Sequence, residues 1–291
     1  MHDVAVLARG LAFPEGPAID RNGNLYAVEI GAGRVTRIAA DGTVNSFAQT
    51  GGGPNGCAFG PNGDLYVCNN GGASPGNVPS TADRPRPTRI QASIQRVTPD
   101  GTVSTALDAI DGVPLTAPND CVFDADGGLW FTDPIWSGEP APISYLAPDG
   151  SARVAHRGLR FPNGIGITDD GRFLIACESL TGMLWGFRIE GPGQLGEPKH
   201  NGNIGRRSVP DGFCLDSAGR IIVAGHGGRH LFVLDGADGR PVETIELPDA
   251  GPTNCCFGGA DFSTLYITSS DQGELLTIAW PVPGMRLHPD R

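Results

Sequence analysis

An all-β fold built from repeated units is predicted by three regularities of the 291-residue sequence. A short motif of a proline, a polar residue and usually a glycine recurs 40 to 64 residues apart. Its polar residues, the anchors, are Glu15, Asn55, Asn119, Asn163, Asp211 and, in a degraded sixth copy without the adjacent proline, Asn254. A glycine stands eight residues after each of the first five anchors, and an apolar pair such as Leu129-Trp130 follows it. Strand-rich repeats of about 40–50 residues are typical of β-propellers, so we predict six blades.

Each blade is expected to contain four antiparallel strands. In the third repeat these are Cys121–Phe123, Leu129–Thr132, 143–146 and 152–155, with a tight hairpin at Asp149-Gly150. The sixth repeat supplies only three strands. We therefore predict that the N-terminal segment 4–7 is its fourth strand and closes the ring, so that residues 1–291 form a single domain.

The second repeat contains an insertion at residues 70–92, rich in Gly, Pro and Ser, with Arg84, Arg86 and Arg89. Each anchor begins a first strand, and each second strand returns to the same side of the propeller. The insertion follows a second strand, so we expect it to overhang the anchors as a lid. A tolerated surface insertion is the alternative.

Charge and cysteine content restrict the class of partner. The net charge of −11 argues against binding to nucleic acid or to an anionic membrane. Neither a signal peptide nor a transmembrane segment is expected. The seven cysteines are odd in number and follow the repeat, which favours free thiols in a reducing cytoplasm. A small-molecule partner and a monomer or weak homo-oligomer are expected.

Four anchors together have the chemistry of a metal site. They combine two carboxylates with two neutral amides, in Glu15, Asn119, Asn163 and Asp211. Such oxygen donors suit a hard divalent cation, which would also offset the repulsion between buried acids. We expect Ca²⁺; Zn²⁺, Mn²⁺, Mg²⁺ and Fe²⁺ are alternatives, although no anchor is His or Cys. Asn55 and Asn254 are interpreted as turn residues or as supports behind the ligands.

The ordered motifs resemble those of the senescence marker protein-30/gluconolactonase/luciferin-regenerating-enzyme family of six-bladed propellers. The resemblance rests on residues 13–17, 118–120, 129–134, 161–164 and 210–212. It implies a catalytic divalent cation bound by Glu15, Asn163 and Asp211, and by Asn119 directly or through water. It also implies a metal-dependent hydrolase that opens a sugar lactone, or a related small lactone or ester, with metal-activated water. Asp211 and Asn119 would then be catalytic.

The identity of the general base stays open. The resemblance assigns this role to Asp211, yet a carboxylate held on a cation has a lowered pKa and is a poor base. Asp120, Asp133 and His226 are alternatives by topology. A turn cap is the favoured explanation for Asp133 before Pro134, and a loop histidine among glycines is the favoured one for His226. The residues predicted to contact substrate are Asn55, Asp120, Asp133, Trp136 and His226.

One position departs from the family pattern. Many sugar lactonases of the family carry an arginine two residues before the third anchor, where this chain has Ala117. Its absence leaves fewer donors for sugar hydroxyls, and Trp136 with the insertion predicts a more apolar or a differently shaped pocket. Two alternatives to a lactonase remain: a phosphotriesterase-like hydrolase on the same site, and a non-catalytic propeller that binds a metabolite or protein around a structural cation.

Overall fold

The structure is a computed structural model that describes residues 2–72, 88–205 and 208–288. These ranges contain no helix with the length and apolar character needed to span a membrane. Their strands, in chain order, are β1 (Val4–Arg9), β2 (Pro14–Ile19), β3 (Leu25–Glu29), β4 (Arg34–Ile38), β5 (Val44–Gln49), β6 (Pro54–Phe59), β7 (Leu65–Asn69), β8 (Ser93–Val97), β9 (Val103–Leu107), β10 (Ala109–Ile110), β11 (Val113–Pro114), β12 (Cys121–Phe123), β13 (Leu129–Thr132), β14 (Pro140–Leu146), β15 (Ala152–Arg160), β16 (Pro162–Ile167), β17 (Phe173–Glu178), β18 (Met183–Gly191), β19 (Gln194–Leu195), β20 (Lys199–Asn203), β21 (Val209–Leu215), β22 (Ile221–His226), β23 (His230–Leu234), β24 (Pro241–Glu246), β25 (Pro252–Gly258), β26 (Thr264–Ser269) and β27 (Glu274–Ala279).

Six antiparallel sheets form the predicted six-bladed β-propeller. The blades are β2–β5, β6–β9, β12–β15, β16–β20, β21–β24, and β25–β27 with β1. The first strand of each blade contacts the first strand of the next, and β25 of the last blade contacts β2 of the first. The six first strands therefore surround one central axis.

The N-terminal strand closes the ring, as the sequence predicts. β1 pairs with β27 in a sheet of order β1-β27-β26-β25, with Val4 opposite Ile278 and Arg9 opposite Glu274. The strand extends two residues beyond the predicted segment 4–7 and shifts register between Val6 and Ala8. This pairing covers the outer edge of β27, which would otherwise be an exposed hydrogen-bonding edge.

Two blades differ from the prediction, the third in the length of its strands and the fourth in their number. In the third blade, the outer pair is longer than predicted, because β14 starts at Pro140 and β15 continues to Arg160. The fourth blade has five strands, since the nine-residue β18 is long enough to pair with both β19 and β20. A small additional hairpin, β10–β11, lies in the connection between the second and third blades.

The apolar core lies between neighbouring blades. One cluster joins Trp130 and Tyr145 of the third blade to Ile165, Leu174 and Phe187 of the fourth. All five side chains are buried, and burial of apolar area at such contacts is the main stabilising contribution to a propeller. Because each blade shares its core with its neighbours, the relative positions of the six anchors are fixed by the whole ring.

The insertion of the second blade lies partly outside the described residues, and the lid predicted from residues 70–92 therefore remains a prediction for 73–87. Its described ends lie together, since the Ile90 amide donates to the Gly71 carbonyl across 3.1 Å. The Gly52 amide donates to the Thr88 carbonyl across 3.0 Å. Gly52 lies two residues before Pro54, which opens the second anchor motif, so the insertion leaves and re-enters the blade on the anchor side.

Candidate active site

The anchors lie where the first strands begin, on one side of the central axis. Five are in the first residues of β2, β6, β16, β21 and β25, and Asn119 lies just before β12. Glu15, Asn119 and Asn163 are 3%, 5% and 6% exposed. The Asp211 side chain is 13% exposed, and Asp211 is the most accessible of the four predicted ligands.

The glycine that follows most anchors allows the inner strands to approach closely. A Cβ atom on Gly16 would lie 2.6 Å from the carbonyl oxygen of Asn55, and one on Gly164 would lie 2.5 Å from that of Asp211. A side chain at either position would therefore push neighbouring anchors apart. The repeated glycine of the motif thus has a steric cause. The third motif has Asp120 in place of the glycine, which adds a third carboxylate near the axis.

Three buried acids influence one another at this site. Burial raises the pKa of Glu15 well above its usual value, and the negative charges of Asp211 and Asp120 raise it further. Burial raises the pKa of Asp120 to about 7 and that of Asp211 to about 6, although nearby His226 lowers the latter. Carboxyl groups in such surroundings favour either a bound proton or a bound cation.

Asn254 connects two of these acids. Its Nδ2 atom donates to Oε2 of Glu15 and to Oδ2 of Asp120, each across 3.1 Å, while its Oδ1 accepts from the Cys255 amide at 2.8 Å. This arrangement agrees with the supporting role considered from sequence and not with a simple turn residue. The sequence signal was only the degraded sixth motif, which did not reveal the two acceptors.

Two anchors present buried amide oxygens without a donor. Oδ1 of Asn119 and Oδ1 of Asn163 have no hydrogen-bond partner among the described residues. Buried polar atoms are nearly always paired, and an acceptor without a donor is well placed to bind a cation. Within 2–72, 88–205 and 208–288, no three His, Cys, Asp or Glu side chains group closely enough to hold a metal ion. A cation at this site would therefore need the amide oxygens. With Glu15 and Asp211 they make an oxygen donor set that fits a hard divalent ion.

His226, one of the predicted substrate-contacting residues, lies beside the predicted ligand Asp211. Its Nδ1 atom is 4.0 Å from Oδ2 of Asp211 and is buried without a hydrogen-bond partner in the described structure. Its ring packs against Phe13 of the first blade, with 6.3 Å between centroids. Trp136 is 38% exposed and packs on Phe161, with 5.2 Å between centroids.

Asp133 is held by the backbone. Its Oδ1 atom accepts from the amides of Thr116 and Ala117 at 3.0 and 2.6 Å, and Oδ2 accepts from Thr116 at 3.1 Å. This geometry favours the turn-cap interpretation, since the carboxylate fixes the segment that leads into the third anchor. Asn55 is 7% exposed at the start of β6, next to Gly56. Direct contact of either residue with substrate remains a prediction.

A cavity of about 570 Å³ occupies the axis on the side opposite the anchors. It is lined by residues of the inner strands, among them Cys57, Cys121, Cys214 and Cys256, and it reaches Asp120 and Asn254. All seven cysteines are free thiols, and burial raises the pKa of those at 57, 214 and 256. The sequence pattern placed cysteines on the inner strands but gave no indication of this cavity.

The fold and the ordered anchor motifs agree with a comparison to protein families. The SMP-30/gluconolactonase/LRE-like family model matches residues 13–271. The chain belongs to this family, which confirms the resemblance found in the motifs.

Individual relatives are hydrolases. A diisopropyl-fluorophosphatase from Loligo vulgaris is 28% identical over 309 residues, covering 94% of this chain and 90% of that protein. A gluconolactonase from Zymomonas mobilis is 25% identical over 305 residues, covering 92% and 79%. A gluconolactonase structure from Xanthomonas campestris aligns with a TM-score of 0.81 and 24% identity, covering 96% of this chain and 90% of that one. This last likeness shows the shared propeller fold.

Proposed function

We propose that this protein is a metal-dependent hydrolase that opens a lactone or a related small ester. Two observations carry the proposal: the carboxylates of Glu15 and Asp211 interact electrostatically, and on the same side of the axis the buried amide oxygens of Asn119 and Asn163 lack donors. Both carboxylates are needed to balance a divalent cation, and the amides complete an oxygen site. The oxygen-only donor set favours Ca²⁺; a purely structural ion would not need an accessible carboxylate such as Asp211.

The bound cation would supply Lewis-acid polarisation of the substrate carbonyl. Asp211 is the carboxylate that we assign as general base, because it is more accessible than Glu15 or Asp120 and lies beside His226. Asn119 would orient the substrate carbonyl with its amide. Glu15 is held by the Gly16 amide at 2.5 Å and by Asn254, so its role is to fix the site.

Hydrolysis of a phosphorus ester or fluoride is a second candidate. The diisopropyl-fluorophosphatase relative aligns with 94% of this chain, and its name places its activity on a phosphorus centre. The same cation and base would serve either reaction, because both need polarisation of an oxygen and delivery of water. The gluconolactonase relative favours the lactone.

Charge and thiol content support a cellular setting and a class of partner for the proposed activity. A net charge of −11 supports a small-molecule substrate over nucleic acid or membrane partners. The free thiols support a cytoplasmic location. A monomer or weak homo-oligomer is consistent with a site built within one chain.

The test is a substrate panel on protein stripped of metal and then reloaded with one cation at a time. We expect hydrolysis of γ-butyrolactone or a substituted lactone with Ca²⁺, at a rate above that for p-nitrophenyl acetate and for diisopropyl fluorophosphate. Faster cleavage of the fluorophosphate would favour the second candidate. Binding of one cation without turnover of any panel member would contradict both and favour a non-catalytic propeller.

A further inference from the structure

None of the residues that stand two positions before the first five anchors is charged, and we call these five the rim residues. These residues are Phe13, Gly53, Ala117, Phe161 and Val209. Ala117 is 1% exposed and has no polar side-chain atom, so its side chain offers no hydrogen bond to a substrate. The repeat therefore places no polar side chain at any of the five rim residues.

Two of the rim residues have an unusual backbone. Phe13 has a φ of 56° and Phe161 a φ of 59°, and they are two of five described non-glycine residues with positive φ. Bulky side chains rarely adopt this conformation, and such strain concentrates at functional sites. The same Phe-Pro dipeptide precedes the anchor in both blades. The conformation is therefore a repeated feature that presents an aromatic ring at the rim.

The two phenylalanines belong to the first and fourth blades, which lie opposite one another in a ring of six. Each ring contacts a second ring. Phe13 packs on His226, whose Nδ1 lies 4.0 Å from Asp211, and Phe161 packs on Trp136 at an interplanar angle of 55°. Two aromatic walls therefore flank the candidate metal site.

The wall of the fourth blade is exposed. Trp136 follows β13, and Leu180 follows β17, so both lie at the strand ends on the anchor side. Leu180 is 55% exposed, and its Cδ1 atom lies so close to Gly138, two residues after Trp136, that a Cβ atom added to this glycine would be 2.7 Å away from it. Large apolar side chains exposed beside a polar site are typical of a ligand-binding surface.

The acidic residues at the second-strand ends near these walls are already engaged. Asp133 accepts from the Thr116 and Ala117 amides. Glu178 accepts from the Arg160 amide at 2.7 Å and from the Trp185 indole at 2.9 Å. These two carboxylates are therefore already engaged and offer little to the hydroxyls of a polyhydroxylated ring, and buried hydroxyls without partners weaken binding.

We propose that this site selects a lactone carrying an apolar aryl or alkyl substituent, with the substituent packed between the Phe161–Trp136 wall and the Phe13–His226 wall. The proposal rests on the proposed hydrolase function and adds the substrate class. Aromatic side chains gain from both area burial and ring packing with such a group, which a sugar lactone lacks.

The test compares the cation-loaded full-length protein on γ-phenyl-γ-butyrolactone, γ-butyrolactone and glucono-δ-lactone. We expect the phenyl lactone to have the highest kcat/KM, by about tenfold or more over the unsubstituted ring, with the sugar lactone lowest. The Trp136→Ala substitution should lower kcat/KM for the phenyl lactone by about tenfold and for γ-butyrolactone by less than about threefold. Phe161→Gly should have the same effect without loss of fold, because glycine tolerates the positive φ.

The matched control is Phe173→Ala. Phe173 is 39% exposed but begins β17, at the strand end away from the anchors, so its removal should change neither rate. Equal or faster cleavage of glucono-δ-lactone would overturn the proposal, as would equal effects of Trp136→Ala on both γ-lactones.

A binding measurement separates this proposal from the hydrolase itself. The non-hydrolysable 5-phenylpyrrolidin-2-one should bind about tenfold more tightly than 2-pyrrolidinone, and Trp136→Ala should remove the difference. If the phenyl lactam binds in this way and no lactone is cleaved, the proposed hydrolase function is wrong and the proposed binding of an apolar substituent at the aromatic walls is supported. If lactones are cleaved and both lactams bind equally, the proposed binding of an apolar substituent is wrong and the proposed hydrolase function is supported.

Discussion

The side-chain amide of Asn254 donates a hydrogen bond to Oε2 of Glu15 across 3.1 Å, although 239 residues separate the two positions. The bond joins the last blade to the first at the axis. Thr253 makes a second connection, since its hydroxyl donates to the Pro14 carbonyl across 2.8 Å. The position of the first predicted ligand therefore depends on closure of the ring.

Replacing Asn254 should weaken both the fold and metal binding. The Asn254→Ala substitution removes the donor shared by Glu15 and Asp120, and we expect a loss of about 1–3 kcal/mol in the free energy of unfolding. Metal affinity should fall as well, because Glu15 loses its orientation. Urea unfolding and calcium titration would measure both effects. The control is Asn45→Ala, at an exposed position on the outer strand β5. Equal results for the two variants would show that the bridge contributes nothing.

Asp211 should be essential for turnover and dispensable for folding. We expect Asp211→Asn to lower kcat by at least several hundred-fold, because it removes both a ligand charge and the assigned base. Asp238→Asn, on an exposed loop of the same blade, should leave the rate unchanged. Steady-state kinetics on γ-butyrolactone would measure kcat for both variants, and circular dichroism would show that each is folded. A decrease of less than about tenfold would argue against Asp211 as base.

The metal-free protein should become less stable as pH rises through the range in which its buried acids ionise. Burial raises the pKa of Asp120 from 3.8 to about 7, so between about pH 4 and 7 the folded chain holds a proton that the unfolded chain has lost. The contribution of protonated Asp120 to the free energy of unfolding is therefore fully present below about pH 4. It decreases as the pH rises and is lost once the pH has passed about 7.

The Asp120→Asn substitution isolates this effect. Without metal, its free energy of unfolding relative to the unsubstituted protein should increase between pH 4.5 and 8. The increase in Tm on adding Ca²⁺ to the unsubstituted protein should be larger at pH 8, because the cation replaces protons. Urea titrations with and without chelator at several pH values would measure both. A pH-independent difference would mean that Asp120 keeps its charge in the folded state.

Shortening the insertion should change specificity more than catalysis. The Gly71 and Ile90 backbones are hydrogen bonded, so residues 73–87 can be replaced by a short turn without separating β7 from β8. We expect a folded, metal-binding protein whose ranking of substituted lactones differs, while γ-butyrolactone is still cleaved. Comparison of kcat/KM across the panel would decide. An unchanged ranking would place the insertion away from the substrate.

The sequence predicts the propeller well because its signals are local and repeated. Gly127 has a φ of 80° and Gly63 a φ of 82°, so the periodic glycine marks the turn between first and second strands. The steric need for Gly16 and Gly164 likewise explains why the anchor motif is visible at all. Closure by β1 follows from the strand missing in the last repeat.

Side-chain partners were harder to predict, since they depend on contacts between blades. Nothing local to Asn254 indicates that it lies between Glu15 and Asp120. Asp133 follows a second strand like a site residue, yet its carboxylate caps the backbone at Ala117. The positive φ of Phe161 was likewise not predicted from the sequence, although a Phe-Pro dipeptide occurs at both phenylalanines that have this conformation.

The most direct test of the account is lactone hydrolysis by exhaustively chelated protein before and after one equivalent of Ca²⁺. We predict no turnover above background in the stripped protein and full recovery at one ion per chain, with Glu15→Gln failing to recover at the same calcium concentration. The fold should persist throughout, as judged by circular dichroism. Full activity in protein shown by elemental analysis to contain no metal would contradict the assignment of the axial oxygen cluster as the catalytic site.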